Sequence, residues 1–305
     1  NKFKKARYTP YHYLKNLPSD FELTRQENLG AFMKTMIIKR LESSFYAFKK
    51  TINRFVISHE KYLQMINSGT IFVSKQLNIF DLLDEDDDEK INKYVEDNIA
   101  QKFSTKDFNP EFKSDVQEDL ECLLTIQDLW KDVHSDPKIR KLISLLKNDT
   151  NLKEKKIIIF TESSETGFYL LKEISKDFQN KVMFYSSEGG KTIKNEIINK
   201  LNQKNGRDEI RNNFDPNIKQ NQKDNIKILI ATDVLAEGIN LHRSNIILNY
   251  DLPWNPTKVI QRIGRVNRVG SKHKNIHVYN FFPSEKSDNE IKQKKNIISK
   301  IQSFH

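Results

Sequence analysis

Five short apolar runs in the second half of this 305-residue chain restrict its fold more than any other feature. They are Lys156-Ile-Ile-Ile-Phe160, Val182-Met-Phe-Tyr185, Lys227-Ile-Leu-Ile230, Ile246-Ile-Leu-Asn-Tyr250 and Ile276-His-Val-Tyr-Asn-Phe-Phe282. Each is too short to be a helix of ordinary length and is apolar at nearly every position, as strands buried on both faces are. Helical periodicity fills the first gap: Phe168, Leu171, Ile174 and Phe178 share one face. Ile193 to Leu201 is expected to form the next helix. Asn202 to Asn225 is polar and is expected to be loop-rich, with at most a short helical turn around Glu209. Strands that alternate with helices imply an α/β fold, a parallel three-layer sheet with right-handed crossovers.

The first 150 residues read differently. Phe32, Met36, Leu41, Phe45, Phe48, Ile52 and Phe55 keep near-helical spacing, so Met33 to Ile66 is one extended helix or two joined ones. Helical pattern returns from Glu118 to Trp130, and Pro137 starts a further helix that ends near Lys147. The polar break Asn148-Asp-Thr-Asn151 places the domain boundary: a mainly helical region over 1–150 and an α/β domain over 151–285. Residues 286–305 are a Lys-rich closing helix or tail. Asp84-Glu-Asp-Asp-Asp-Glu89 is a run of six acids. Mutual repulsion makes it a solvated loop, and an acidic decoy for a basic groove is the alternative. No internal repeat is evident.

Fifty-one basic against 41 acidic residues give a net charge of +10. Such an excess favours a polyanionic partner, nucleic acid first, although the Lys- and Asn-rich composition of an AT-rich genome accounts for the bulk charge equally well. The single cysteine, Cys122, excludes a disulfide framework and any cysteine-based zinc site. The histidines show no ligand spacing, so no metal site is expected. No apolar run approaches membrane-spanning length and no signal peptide is visible, which makes the cytoplasm the default location. The chain opens on Asn1 rather than Met and reads as an excised fragment.

The chemistry concentrates in two blocks. After Pro253-Trp-Asn-Pro256, Asn255 suits a helix N-cap and Pro256 the first helical position. Val259, Ile263 and Val266 then stand at i, i+4, i+7, and Gln261, Arg265 and Arg268 stand at i, i+4, i+7 on the other face. One face would pack on the sheet while the other presents two guanidiniums and an amide, a set that matches phosphate oxygens; Gly264 leaves room for close approach. A basic solvated helix is the plain alternative. The second block, Ile228-Leu-Ile-Ala-Thr-Asp233, ends a strand where open α/β sheets bind ligands. Thr232 offers a hydroxyl to a phosphate, Asp233 could orient an arginine, Gly238 permits backbone approach, and Asn240 suits a ribose hydroxyl. From Leu252 to Ser284 there is no acid, while Lys258, Arg262, Arg265, Arg268, Lys272 and Lys274 are basic, so one strongly positive edge is expected. In the helical region Lys39, Arg40, Lys49, Lys50 and Arg54 line either a duplex path or a solvated face. Arg7-Tyr-Thr-Pro-Tyr-His-Tyr13 mixes a cation with rings that could stack on bases or pack on a missing domain.

Together the two blocks resemble motifs V and VI of superfamily 2 helicases and translocases. Tyr250-Asp-Leu-Pro-Trp-Asn-Pro256 with Gln261-Arg-Ile-Gly-Arg-Val-Asn-Arg268 is most similar to the bacterial Swi/Snf-like branch, and Lys156-Ile-Ile-Ile-Phe-Thr-Glu-Ser-Ser164 takes the place of motif IV. The resemblance covers about residues 151–282. It implies a second RecA-like lobe in which Gln261, Arg265 and Arg268 face an ATP cleft, Arg268 being the first choice of arginine finger and Arg265 the second. It implies nucleotide contact at Asp233, Gly238 and Asn240, and nucleic-acid contact at Thr232, Thr161, Ser163 and Ser186. Helix capping is the plain alternative for Thr161, Ser163 and Ser186. Many superfamily members carry Asp where this chain has Asn240. No G-x-x-x-x-G-K-[ST] phosphate loop or Asp-Glu-x-His box is found, and Glu188-Gly-Gly-Lys-Thr192 lacks a first glycine at the right offset. ATP and Mg2+ would therefore be held mainly by a missing N-terminal lobe, with neither expected on this chain alone, which would be inactive. The implied partners are that lobe and DNA, or RNA, with no membrane. The rival reading is a non-catalytic module that docks nucleic acid or a partner in a restriction or defence complex. A Rossmann-type oxidoreductase would need a G-x-G-x-x-G after a strand, which is absent.

Overall fold

The computed structural model describes residues 3–74, 100–236, 238–253, 255, 257–268 and 270–291. The acidic run, Trp254, Pro256 and the tail beyond residue 291 lie outside these. Two compact units are present: Asn1–Leu41 with Ala47–Ser135, and Glu42–Tyr46 with Asp136–His305.

In the first unit, two 3-10 turns (Ala6–Tyr8 and Pro10–Tyr13) precede α1 (Asp20–Ser43) and α2 (Phe45–Asn67). The expected helical stretch is thus two helices, broken at Ser44. Met33, Phe48, Ile52, Phe55, Val56 and Leu123 form one cluster, joined by α3 (Glu111–Lys131). A short antiparallel pair, β1 (Thr70–Ser74) and β2 (Ala100–Ser104), was not foreseen. The aromatic N-terminal segment is internal to this unit: Tyr8 and Tyr11 are buried. The Arg7 guanidinium lies 5.6 Å from the Tyr8 ring centre and 5.5 Å from that of Tyr62. His59 is fully buried, and its Nδ1 donates to the Phe55 carbonyl at 2.7 Å. Burial, and then the positive charge of Arg7, push its imidazole down to about 4.

The second unit begins with α4 (Pro137–Asn148), capped by Asp136, whose Oδ1 accepts the Lys138 N–H at 2.9 Å. Its Ile139, Leu142 and Leu146 are buried with Ile157, Ile159, Leu170, Leu171 and Ile174. α4, which precedes the polar break near 150, thus packs within this unit, to which residues 42–46 also belong. All five expected strands form: β3 (Ile157–Phe160), β4 (Val182–Ser186), β7 (Ile228–Ala231), β8 (Ile246–Asn249) and β9 (His277–Asn280). They pair parallel in the order β4-β7-β3-β8-β9, and α5 (Ser164–Ser175) covers one face. The other face packs Ile158, Phe160, Met183 and Tyr185 against Ile210, Phe214 and Val266.

Two expectations fail between β4 and β7. Residues 193–201 are not helical: β5 (Gly189–Lys194) and β6 (Ile197–Leu201) form a hairpin added antiparallel to β4. The two turn residues Asn195 and Glu196 have φ of +49° and +64°, the geometry of a type I′ hairpin. Ile193, Ile197 and Ile198 imitate helical spacing, yet β-branched residues beside a free sheet edge are better placed in strands. The Gly-Gly pair opens β5 and makes no phosphate loop: Gly189 has φ +105°, and a Cβ there would lie 2.3 Å from the Leu201 carbonyl oxygen. The polar segment that follows contains α6 (Gln203–Phe214), held by buried Ile210 and Phe214, where only a turn was expected. Among the described residues the remaining α-helices are α7 (Thr257–Val266) and α8 (Glu285–Ile291).

Candidate nucleotide and nucleic-acid site

β7 ends at Ala231, and the chain turns through Thr232 and a 3-10 helix, Asp233–Ala236. Gly238 follows with φ +84°, a conformation that a side chain would strain. Asn255 Oδ1 accepts the Thr257 N–H at 3.0 Å and so caps α7. Val259 and Val266 are fully buried, Gln261 and Arg268 are exposed, and Arg265 is half-buried. The faces separate as the spacing predicts, and nothing lies within 4 Å of a Cβ built on Gly264. The Leu241 N–H donates to the Arg265 carbonyl at 3.1 Å, which ties the Gly238–Asn240 turn to the end of α7. There Arg268 Nη1 donates to Asn240 Oδ1 at 2.5 Å, and Asn240 Nδ2 donates to Asp215 Oδ2 at 3.3 Å. The structure thus brings Gln261, Arg265, Arg268, Gly238 and Asn240 to one edge.

Arg262 corrects the expected uniform positive edge. It is 0% exposed. Its Nε donates to Asp233 Oδ1 at 2.7 Å, and its Nη1 donates to Asn249 Oδ1 at 2.9 Å and to the Asp251 carbonyl at 3.1 Å. The guanidinium carbon lies 4.9 Å from the Phe160 ring centre. A buried guanidinium is tolerated only when paired and hydrogen-bonded, so Arg262 fastens α7 to the ends of β7 and β8. Asp233 does orient an arginine, but this one, and Lys258 Nζ lies 3.8 Å from its other oxygen. An arginine in step with Ile263 and Val259 on the sheet-facing side was the available signal.

Asp251 was also missed. Its carboxylate accepts from Thr161 Oγ1 at 2.5 Å, Ser43 Oγ at 2.8 Å, Lys138 Nζ at 2.9 Å and the Glu162 N–H at 3.3 Å. Burial alone would raise this carboxyl, yet the Lys138 ammonium and the Thr161 and Ser43 hydroxyls hold it below the usual carboxylate range. A buried acid directly after an apolar strand was the signal.

The four hydroxyl residues expected at nucleic acid are turned inward. Thr161, Ser163 and Ser186 are 0% exposed and Thr232 is 3% exposed. Thr161 bonds Asp251, Ser163 Oγ accepts the Thr166 N–H at 3.3 Å as the cap of α5, and Ser186 Oγ accepts the Glu188 N–H at 3.3 Å. Thr161, Ser163 and Ser186 thus brace the turns at the carboxyl ends of β3 and β4 from within, whereas the buried Thr232 hydroxyl after β7 has no hydrogen-bond partner among the described residues.

A mainly parallel sheet with flanking helices is the architecture of a RecA-like α/β lobe. Residues 137–270, from the first residue of α4 to just beyond α7, match the family described as the helicase conserved C-terminal domain. The Bacillus subtilis (strain 168) protein named uncharacterized ATP-dependent helicase YqhH is 31% identical over 162 residues, covering 53% of this chain and 24% of that protein. The ATP-dependent RNA helicase uap56 of Schizosaccharomyces pombe is 40% identical over 68 residues, covering 22% of this chain and 15% of that protein. The solved C-terminal part of the Fun30 ATPase domain is 20% identical with a TM-score of 0.40, over 62% of this chain and 58% of that one. The matched span is a helicase C-terminal domain, homologous to those of ATP-dependent helicases. The chain spans about a quarter of the length of YqhH.

Proposed function

We propose that this chain supplies the second motor lobe of a bacterial, Swi/Snf-like ATP-dependent DNA translocase or helicase. One observation carries the reading: Gln261, Arg265 and Arg268 form a ridge on the outer side of α7, and the outermost guanidinium rests on a neutral amide rather than an acid. A guanidinium so held keeps its charge for a triphosphate. Arg268 is assigned as the finger that stabilises charge on the transferred phosphoryl group, Arg265 as its companion, and Gln261, Gly238 and Asn240 as further nucleotide contacts. Asp233 acts at one remove, through Arg262. Nucleic acid is assigned to the turns that Thr161, Ser163 and Ser186 anchor and to the turn at Thr232. Among the described residues no group of three or more His, Cys, Asp or Glu is placed to hold a metal. In this reading the ligands of Mg2+ and the phosphate loop belong to a first lobe, and this chain by itself is expected not to hydrolyse ATP.

In the full-length protein, Arg268→Ala is expected to lower DNA-stimulated ATP turnover about 10³-fold or more, with DNA affinity changed less than twofold. Unchanged turnover removes the finger assignment. A full-length protein that binds DNA without hydrolysing ATP is instead a docking module. Parallel titrations with DNA and RNA over a range of salt identify the polymer.

A further inference from the structure

The polar segment that the apolar pattern left unread holds Asn213-Phe214-Asp215-Pro216-Asn217. A proline confines the residue before it to extended backbone, and Asp215 has φ −91° and ψ 118°. In that conformation Oδ1 accepts the Asn217 N–H at 2.9 Å, and Oδ2 is left to accept from Asn240 Nδ2 at 3.3 Å. The carboxylate is well fixed. Asp215 is 7% exposed, Phe214 before it is fully buried, and the Phe214 carbonyl accepts the Arg243 N–H at 3.1 Å. Asn213 Oδ1 also accepts the Ile226 N–H at 3.0 Å, which closes the loop behind it.

The chemistry of the three groups dictates their order. An ionised carboxylate only accepts hydrogen bonds, a guanidinium only donates them, and a side-chain amide has one end of each kind. Asn240 lies between Asp215 and Arg268, so only one of its two amide orientations satisfies both neighbours. Nδ2 must face Asp215, and Oδ1 is thereby aimed at Arg268 Nη1. An Asp at 240 would set two carboxylates against each other, which fits the amide found there.

We infer that Asp215 is a positioning residue for Arg268, acting through the amide of Asn240. It fixes that amide so that an uncharged oxygen holds the guanidinium at the edge of the lobe, ready to pass to a phosphate. This inference rests on the assignment of Arg268 as the phosphate-facing arginine.

Positioning of this kind is lost from turnover rather than from ground-state binding. In the full-length ATPase, Asp215→Ala is expected to lower kcat about tenfold with the KM for ATP within twofold. Asp215→Asn keeps a single acceptor oxygen and turns an NH2 toward either the Asn240 NH2 or the Asn217 N–H, so it is expected to lose kcat nearly as far as Asp215→Ala. In an Arg268→Ala background, Asp215→Ala should change nothing further. Equal losses from Asp215→Ala in the two backgrounds, or none in either, would overturn the inference. A separate melting series tests the contact itself. Asn240→Asp is expected to lower Tm by ~3 °C, and adding Asp215→Asn to it should restore most of the loss. Without that recovery the Asp215–Asn240 link fails, whatever the ATPase data show. Recovery combined with wild-type turnover in Arg268→Ala would instead retain the link and remove the finger assignment.

Discussion

Arg262, Arg265 and Arg268 belong to one eight-residue motif, yet they have unlike environments. Arg262 is enclosed with Asp233, Asn249 and Phe160, Arg265 is half-buried, and Arg268 is exposed. At 3.6 residues per turn each step of three falls about 60° short of a full turn, so from Arg262 to Arg268 the side chains rotate progressively off the sheet-facing side. Removing one member of a buried ion pair strands the other, at a cost of about 3–5 kcal/mol. Arg262→Ala is therefore expected to destabilise the lobe by about that amount in urea unfolding. An exposed arginine on a basic edge would instead cost less than about 0.5 kcal/mol, and a loss that small would refute the strut. The arginine ridge was legible in the sequence because its spacing is local. The strut was not, because its partners lie 29, 13 and 11 positions away. Spacing shows which face a residue occupies, not what waits opposite.

At the scale of elements, the five parallel strands were readable because burial on both faces leaves an unbroken apolar run. The β5–β6 hairpin was not readable, because an edge pair half open to water has no such run: Ile197 is 66% exposed and Ile198 is 39% exposed. Its turn provides a discriminating experiment. Glu196 has φ +64°, which costs an L-residue roughly 1–2 kcal/mol relative to glycine. Glu196→Gly is thus expected to raise the stability of the lobe by up to about 1 kcal/mol. Within a helix over 193–201 the same change would lower it by about 1 kcal/mol, so the sign of the shift in a denaturant melt decides between hairpin and helix. The α6 helix escaped notice for a related reason. Its buried face is narrow, with Gly206, Ile210, Asn213 and Phe214 inside, and the rest of its surface is polar.

For the whole molecule, acid is expected to loosen both units through groups held in their high-pH forms. His59 in the folded first unit titrates at about 4, against about 6.5 for an ordinary imidazole. Between those values the unfolded chain binds a proton that the folded chain refuses. Stability is therefore complete near pH 7 and declines as pH falls through 4, by about 3 kcal/mol if His59 acted alone. Asp251, also held below its ordinary value, adds a loss of the same sign at lower pH. Melting curves between pH 7 and pH 4 should show the decline, and His59→Leu should flatten its upper part. A pH profile unaffected by His59→Leu would exclude this imidazole as its source.

Residues 42–46 belong to the α/β unit although α1 and α2, which they join, lie mostly in the helical one. In that short stretch, Ser43 Oγ meets Asp251 and lies 2.7 Å from Thr166 Oγ1, the Phe45 N–H donates to Asp136 at 3.0 Å, and Glu42 accepts from Ser284 Oγ at 2.7 Å. The covalent path thus crosses between the units three times instead of once. A lobe excised by a single cut before residue 136 would forfeit these ligands and leave a desolvated carboxylate short of one hydroxyl. Expressing the helicase-like half by itself would require supplying that five-residue clasp in trans or grafting it back.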